Sequence, residues 1–359
     1  MINPQDVSDI ESWCKLGYKG QLPNAMITGL EGGPTFFNEV LNLAASIKAD
    51  PISFYEGQPL KHRVITGLFM NPSLRTRSSL ESAIARLGGH FIHIPAGQGS
   101  WKLEFNDHAV MNDDAAEHIK EAAGVLSSYS DLIGLRAFAQ LKNFKSDMED
   151  RFIRQLARYS NVPLLSLESA VYHPTQAFAD ALTMREELDK TQGKRFTLAW
   201  TTHPKMCGVA VPHSALMVAA QLGMNIQVAH PPGYELDQDV TQLAGKVART
   251  QGGSLHFTHS LNEACKDANI IYAKAWGAPQ DYGDTARGIA RNARYSKWTI
   301  GLEHLLHNER ARFMHCLPVR REVVVRSNVL DSSASLVQVQ AANRQWVMMA
   351  LLLKLLKIY

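Results

Sequence analysis

The sequence predicts an α/β protein of two domains, each a parallel sheet flanked by helices. Three observations carry this. The chain has 359 residues, enough for two separate cores. Short apolar runs alternate with segments whose apolar residues recur at helical spacing, the pattern of βα units. Clusters of arginine, histidine and lysine fall directly after those apolar runs, and ligands gather at the carboxyl ends of parallel strands.

Two βα series can be followed. In the first, HRVITGLFM (62–70) is an apolar run with a polar front, a buried strand. Leu80, Ile84 and Leu87 mark a helix that Gly88-Gly89 stops. HFIHIPA is a second strand, AAEHIKEAAGVLSSY a helix, SDLIGLRAF a strand reaching Arg136, RFIRQLARYS a helix and VPLLSLES a strand. The second series starts near His173. HPTQAFADALTMREELDK is a helix with Pro174 in its first turn, where proline is tolerated. Strand RFTLAWTT, helix AVPHSALMVAAQLG, strand NIQVAHP, helix DQDVTQLAGKVARTQGG and strands SLHFTHS and ANIIYAKAW follow. ANRQWVMMALLLKLL is a buried C-terminal helix. The link between the halves is placed near residues 169–172.

Composition narrows the function classes. Apolar residues make up 45% and charged residues 20%, as in a soluble globular protein. A net charge of +3 is too mild for a nucleic-acid-binding stripe but suits a small anionic substrate held by local arginines. Cys14, Cys207, Cys265 and Cys316 lie far apart with no C-x-x-C pair, so neither a zinc site nor a disulfide framework is expected. The opening MINPQDVSDIESW carries acids and no apolar core of a leader. The apolar run Trp346–Leu353 is far short of a bilayer span. A cytoplasmic protein with no membrane partner is the expectation.

Three clusters carry chemistry. Asn71-Pro72-Ser73-Leu74-Arg75-Thr76-Arg77 joins a strand to a helix. Free N–H groups at a helix start, the hydroxyls of Ser73 and Thr76, and planar guanidinium forks all suit a phosphate. The alternative is a plain helix cap, with Ser73 capping and the arginines solvated or paired to acids. Neither a Walker A loop nor a G-x-G-x-x-G after a strand is present. His173-Pro174-Thr175-Gln176 opens a helix after a strand: the histidine could donate to a carbonyl oxygen and the glutamine hold an amide, or His173 could be a simple turn residue. His315-Cys316-Leu317-Pro318-Val319-Arg320-Arg321 invites a thiol nucleophile, but adjacent residues in an extended segment point to opposite faces. Backbone carbonyls near Cys316 and Leu317 could instead accept from a ligand NH₂, and Arg320 could bind a carboxylate. His90 and His93, three apart on a strand, face opposite ways and are not read as a metal pair.

Taken together, S-x-R-T-R, H-P-x-Q and H-C-L-P resemble the aspartate/ornithine carbamoyltransferase family over nearly the whole chain and in the family's order. The resemblance implies two α/β domains with the active site in the cleft between them. It assigns residues 1–172 plus the C-terminal helix 341–359 to carbamoyl phosphate, and 173–340 to the acceptor. It implies a homotrimer with shared sites, carbamoyl phosphate as donor, and no metal or cofactor. By motif, Ser73, Leu74, Arg75, Thr76 and Arg136 would hold the phosphate. His173 and Gln176 would bind the carbamoyl group, with Arg75, Arg136 and His173 as the catalytic set. Cys316 and Leu317 would position its NH₂ or the attacking amine, and Arg344 in AANR would face the donor.

The acceptor loop D-x-x-x-S-M-G of ordinary ornithine enzymes is absent. GQGSWKLEF, WTTHPK, YAKAWG and HCLPVRR resemble the N-acylornithine branch instead. That likeness implies that Trp101 enters the neighbouring subunit's site and that Glu168, Lys274, Leu317 and Arg320 contact the acceptor. Acetyl-type members have glutamate at the position of Ala116, and succinyl-type members proline. Acetyl-type members can also carry a lysine shortly after the R-R pair, where this chain has Val324. A glutamate would repel a succinyl carboxylate and Ala116 cannot, so N-succinylornithine is expected over N-acetylornithine, with Lys205 and Lys274 for its distal carboxylate. An ordinary ornithine enzyme or a non-catalytic anion-binding paralogue are the further alternatives.

Overall fold

The computed structural model describes residues 25–359. The opening stretch read for a leader, and Cys14, lie outside the described residues. The chain divides into two units. One comprises residues up to Phe138, Glu149–Thr175 and Arg344–Tyr359; the other comprises Ala139–Met148 and Gln176–Asn343.

The first unit contains β1 (Ala25–Met26), β2 (Val64–Phe69), β3 (His90–Pro95), β4 (Lys102–Glu104), β5 (Ala115–His118), β6 (Leu132–Arg136) and β7 (Leu164–Glu168). Five of them form a sheet in the order β1-β7-β6-β2-β3, with every pair parallel. β4 and β5 pair separately, with a register shift. Ile65, Leu68, Leu132, Ile133, Leu135, Leu164 and Leu165 are buried, as expected of strands covered on both faces. Helix Arg75–Arg86 follows β2 and turns its Leu80, Ala83 and Ile84 inward. Gly88, at φ 83°, ends it: the Gly88 amide donates to the Ala85 carbonyl and the Gly89 amide to that of Ile84.

The second unit contains β8 (Arg195–Trp200), β9 (Asn225–Ala229), β10 (Ser254–Thr258), β11 (Ile270–Lys274) and β12 (Arg312–Met314), in the order β10-β9-β8-β11-β12 and again all parallel. Helix Ala210–Gln221 is buried from Ala210 through Ala220. Ile271, Phe313, Ile300, Val325 and Val329 belong to one apolar cluster of this unit.

The expected α/β class holds, and the strands and helices of both series are found. One expectation is corrected. Residues 115–129 are not one helix: Ala115–His118 is a strand, and the helix runs over Ile119–Tyr129. His118 is its N-cap, the ring Nδ1 accepting the Lys120 amide at 3.1 Å. Pairing with β4 overrides the helical preference of the Ala-Ala-Glu stretch. Helices Gly33–Ala49 and Thr285–Ala293 and strand β12 were not anticipated. Among the described residues, no helix is long and apolar enough to cross a membrane.

In an all-parallel sheet every carboxyl end lies along one edge. In the first unit that edge carries Ser73–Arg77 after β2, Arg136 closing β6, and Glu168 closing β7. The register aligns them in a row, Phe69 opposite Arg136 and Arg136 opposite Glu168. In the second unit Lys274 closes β11, and His315–Arg321 follows β12.

Candidate active site

In the first unit the edge is built around a threonine and two arginines. The Ser73 hydroxyl accepts the Thr76 amide at 3.1 Å, which fixes the first turn of helix Arg75–Arg86. Thr76, 2% exposed, then accepts at its hydroxyl from Arg344 Nη2 at 2.7 Å and from Arg136 Nη1 at 3.3 Å. The cap reading of the Ser73–Arg77 segment is realised in Ser73 and Arg77. Ser73 acts as a cap. Arg77 is exposed and sits 3.6 Å from Glu81, four residues on. Arg75 is half-buried, and its charge reaches His173. Leu74 is 77% exposed, so only its backbone can serve a bound anion.

His173 and Glu168 complete the cluster. Arg136 Nη1 donates to Glu168 Oε2 at 2.7 Å, and His173 Nε2 lies 3.4 Å from the same oxygen. Thr175 Oγ1 lies 3.2 Å from His173 Nδ1. A proton on Nε2, with the Thr175 hydroxyl donating to Nδ1, fits these two contacts, while Arg344 Nη1, a donor, lies 3.5 Å from the same Nε2. Burial, and after it the charges of Arg344, Arg136 and Arg75, hold the His173 pKa well below its usual value. The ring is thus neutral at pH 7, a hydrogen-bond donor without a charge of its own. Arg136 Nε is buried and makes no hydrogen bond among the described residues. Three guanidinium groups, a neutral imidazole and one carboxylate leave the cluster with a positive excess, suited to an anion with a polarisable carbonyl.

In the second unit Gln176 opens a buried polar string. Its Nε2 donates to Asp180 Oδ1 at 2.8 Å, and Gln340 Nε2 donates to the same oxygen at 2.6 Å. Gln340 Oε1 accepts the His315 amide at 3.0 Å, and His315 Nδ1 accepts the Leu317 amide at 2.9 Å. Leu317 is held at φ 55°. Cys316 is half-buried and in no disulfide. Arg321 forms a two-pronged pair with Asp331, at 2.7 and 2.8 Å, and Arg320 beside it is also exposed.

Lys274 and Arg320 are joined by a residue not singled out from the sequence, Cys207. Burial would push its thiol up, but the charge of Lys274, the hydrogen bond from His203 and the charges of His203 and Arg320 outweigh this and hold it below its ordinary value. Its Sγ lies 3.6 Å from His203 Nδ1. Lys205 is exposed beside them, its carbonyl 3.0 Å from His203 Nδ1. The signal was present in WTTHPK, where a histidine and a lysine precede the thiol.

Trp101 and Ala116 lie in the first unit, around the β4–β5 pair. Trp101 is 59% exposed and donates from Nε1 to Glu117 Oε2 at 2.6 Å. Ala116 is exposed on β5. His93 packs edge-on against Phe69, with ring centroids 4.9 Å apart.

Two parallel α/β units, one with a cationic cluster and the other with a lysine-arginine-thiol group, are the frame of a transferase that takes an anionic donor. Comparison with known proteins gives the family. Residues 33–186 match the carbamoyl-P binding domain of aspartate/ornithine carbamoyltransferase, and residues 196–355 its Asp/Orn binding domain. An N-acetylornithine carbamoyltransferase of Xanthomonas axonopodis pv. citri is 37% identical over 299 residues, 82% of this chain and 87% of that protein. An N-succinylornithine carbamoyltransferase of Bacteroides fragilis is 35% identical over 285 residues, 79% and 85% of the two chains. A solved N-acetyl-L-ornithine transcarbamylase, in a Glu-to-Ala variant complexed with carbamyl phosphate and N-succinyl-L-norvaline, superposes with a TM-score of 0.85 at 36% identity, covering 89% of this chain and 95% of its own. The chain belongs to the aspartate/ornithine carbamoyltransferase family and is a carbamoyltransferase. Within the family it falls in the N-acylornithine branch.

Proposed function

We propose that the chain transfers the carbamoyl group of carbamoyl phosphate to the δ-amine of N-succinyl-L-ornithine, giving N-succinyl-L-citrulline and phosphate, a step of arginine biosynthesis. The first unit serves the donor and the second the acceptor. Ser73, the Leu74 backbone, Arg75, Thr76, Arg136 and Arg344 take the phosphate. His173 donates from Nε2 to the carbamoyl oxygen, and Gln176 and the Leu317 carbonyl take the carbamoyl NH₂, with Cys316 beside them. Lys205, Lys274 and Arg320 bind the carboxylates of the acceptor. Glu168 contacts the acceptor once the donor has taken its place on Arg136.

The chemistry then needs little beyond placement and charge. The neutral δ-amine attacks the carbonyl carbon, a C–N bond forms and negative charge grows on the carbonyl oxygen. Donors aimed at that oxygen are worth about 10²–10³ each in rate. The C–O bond to phosphate breaks, and the departing phosphate takes the amine proton. Neutral His173 offers the growing oxyanion a hydrogen bond from Nε2 and keeps its proton throughout.

Ala116 carries the choice of acyl group. Acetyl-type members have a glutamate at this position, which would repel a succinyl carboxylate; an exposed alanine does not. A Glu-to-Ala variant of an acetylornithine enzyme holding a succinyl analogue supports this reading. The competing acceptor, N-acetylornithine, is favoured by the higher identity of the acetyl-type relatives, 37% against 35%. Exposed Trp101 fits a homotrimer in which it enters a neighbour's site. Initial rates with N-succinylornithine, N-acetylornithine, ornithine and aspartate separate the readings. The succinyl compound is expected to give a kcat/KM at least about tenfold above the others, a difference of about 1.4 kcal/mol. A preference for the acetyl compound would overturn the assignment.

A further inference from the structure

The buried string from Gln176 to Leu317 carries a consequence for the donor site. A side-chain amide has two nearly isosteric ends, one accepting and one donating, and only its surroundings decide which way it points. Asp180 is 1% exposed, and its Oδ1 accepts from Gln176 Nε2 at 2.8 Å and from Gln340 Nε2 at 2.6 Å. A carboxylate can only accept, so the NH₂ of Gln176 is drawn to Asp180 and its carbonyl oxygen is fixed on the other edge of the amide. Gln340 is fixed by the same logic: its NH₂ faces Asp180, so its oxygen meets the His315 amide at 3.0 Å. His315 in turn receives the Leu317 amide on Nδ1, and Leu317 stands at φ 55°, a left-handed conformation that a leucine keeps only where its surroundings hold it.

We propose that Asp180 and Gln340 are positioning residues for carbamoyl transfer: Asp180 sets the amide of Gln176 with its oxygen toward the carbamoyl NH₂, and Gln340 carries the same constraint through His315 to the backbone of Leu317. Two acceptors for one NH₂ group are thereby set by a single buried carboxylate, although they lie 141 residues apart in the chain. Tyr272 belongs to the arrangement. Its hydroxyl is 3.4 Å from Gln340 Nε2, and burial, then the charge of Asp180, keeps it protonated. Its O–H is therefore a donor toward the carboxylate. Gln176, Gln340 and Tyr272 all donate to Asp180, the arrangement that a buried carboxyl group needs.

The inference rests on the proposed contact of Gln176 with the carbamoyl group, and the experiment separates the two. Asp180→Asn keeps the shape but can turn its own NH₂ toward Gln176 in place of an oxygen, so the Gln176 amide is no longer held one way round and the orientation that presents NH₂ to NH₂ becomes populated. The kcat/KM for carbamoyl phosphate is expected to fall about 100-fold, with the KM for the acceptor unchanged. Adding Gln176→Glu to Asp180→Asn restores the polarity, because the new carboxylate accepts from the asparagine and still offers an oxygen to the carbamoyl group. This double variant is expected to recover at least about tenfold of the loss, which a merely structural role would not produce. Gln340→Met, which leaves the carboxylate in place, is expected to lose about tenfold on the donor side alone, and it stands in if Asp180→Asn does not fold. Loss with Gln176→Ala but rates within about twofold of wild type for Asp180→Asn or Gln340→Met would overturn the positioning role. A double variant no better than Asp180→Asn would do the same. Full activity of Gln176→Ala would instead remove the contact on which the role depends.

Discussion

Arg136 and Glu168 end neighbouring parallel strands, are register partners, and are joined by a 2.7 Å ion pair whose carboxylate also lies 3.4 Å from His173. A phosphate or carbamoyl oxygen bound to Arg136 and His173 must take the place of that carboxylate. Glu168→Gln removes the competing charge from this largely buried pair, a change of about 1 kcal/mol, the net worth of one hydrogen bond. The Kd for carbamoyl phosphate is therefore expected to fall about fivefold by calorimetry, while the KM for the acceptor rises. An unchanged or weaker donor affinity would show that the pair does not compete with the donor.

Thr76 offers one hydroxyl to two guanidinium groups, those of Arg344 and Arg136. Thr76→Val keeps the volume and removes both hydrogen bonds. At about 1 kcal/mol for each bond, the variant is expected to raise the KM for carbamoyl phosphate about tenfold or more. Steady-state kinetics with saturating acceptor checks this, and the acceptor KM should not move.

The burial of His173 predicts a pH effect on stability. Its folded pKa lies well below 6.5, through burial first and the three arginines after it. In the unfolded chain it titrates near 6.5. Above that value the ring is neutral in both states and contributes nothing to the pH dependence. Below it, down to the folded pKa, the unfolded chain binds the extra proton, so acidification favours unfolding. Lowering the pH from about 7 to about 5.5 should depress the Tm of the wild type more than that of His173→Gln. Parallel Tm curves would contradict the assigned environment.

Ala116→Glu tests acceptor choice. A carboxylate placed on β5 near a succinyl carboxylate should cost about 1–2 kcal/mol, and kcat/KM for N-succinylornithine should fall about tenfold or more relative to N-acetylornithine. Added salt should shrink the effect, since an exposed like-charge pair is screened.

Much of this architecture was legible in the sequence because parallel strands bury both faces and stand out as apolar runs, as in VITGLF and LIGLR. Lys102–Glu104 and Arg312–Met314 escaped because three residues give no period to read. Ala115–His118 was misread because Ala-Ala-Glu favours a helix until a neighbouring strand pairs with it. In the first unit Arg75, Arg136 and His173 were legible because each follows or closes a strand or opens a helix, whereas Arg344, inside helix Val337–Leu355, was read from its AANR motif; the four share one cluster. Asp180, Gln340 and Cys207 were not legible. Asp180 and Gln340 are polar positions within helices, and only the packing shows which amide faces which carboxylate; Cys207 gains its meaning from Lys274 and Arg320, distant in sequence.

The most direct measurement is calorimetric titration of freshly prepared carbamoyl phosphate into the purified protein without acceptor, run beside Arg136→Ala and Arg344→Ala. The account predicts saturable binding with one donor per chain, weakened at least about tenfold in either variant. Absence of binding to the folded wild-type protein, or equal affinity in all three, would contradict it.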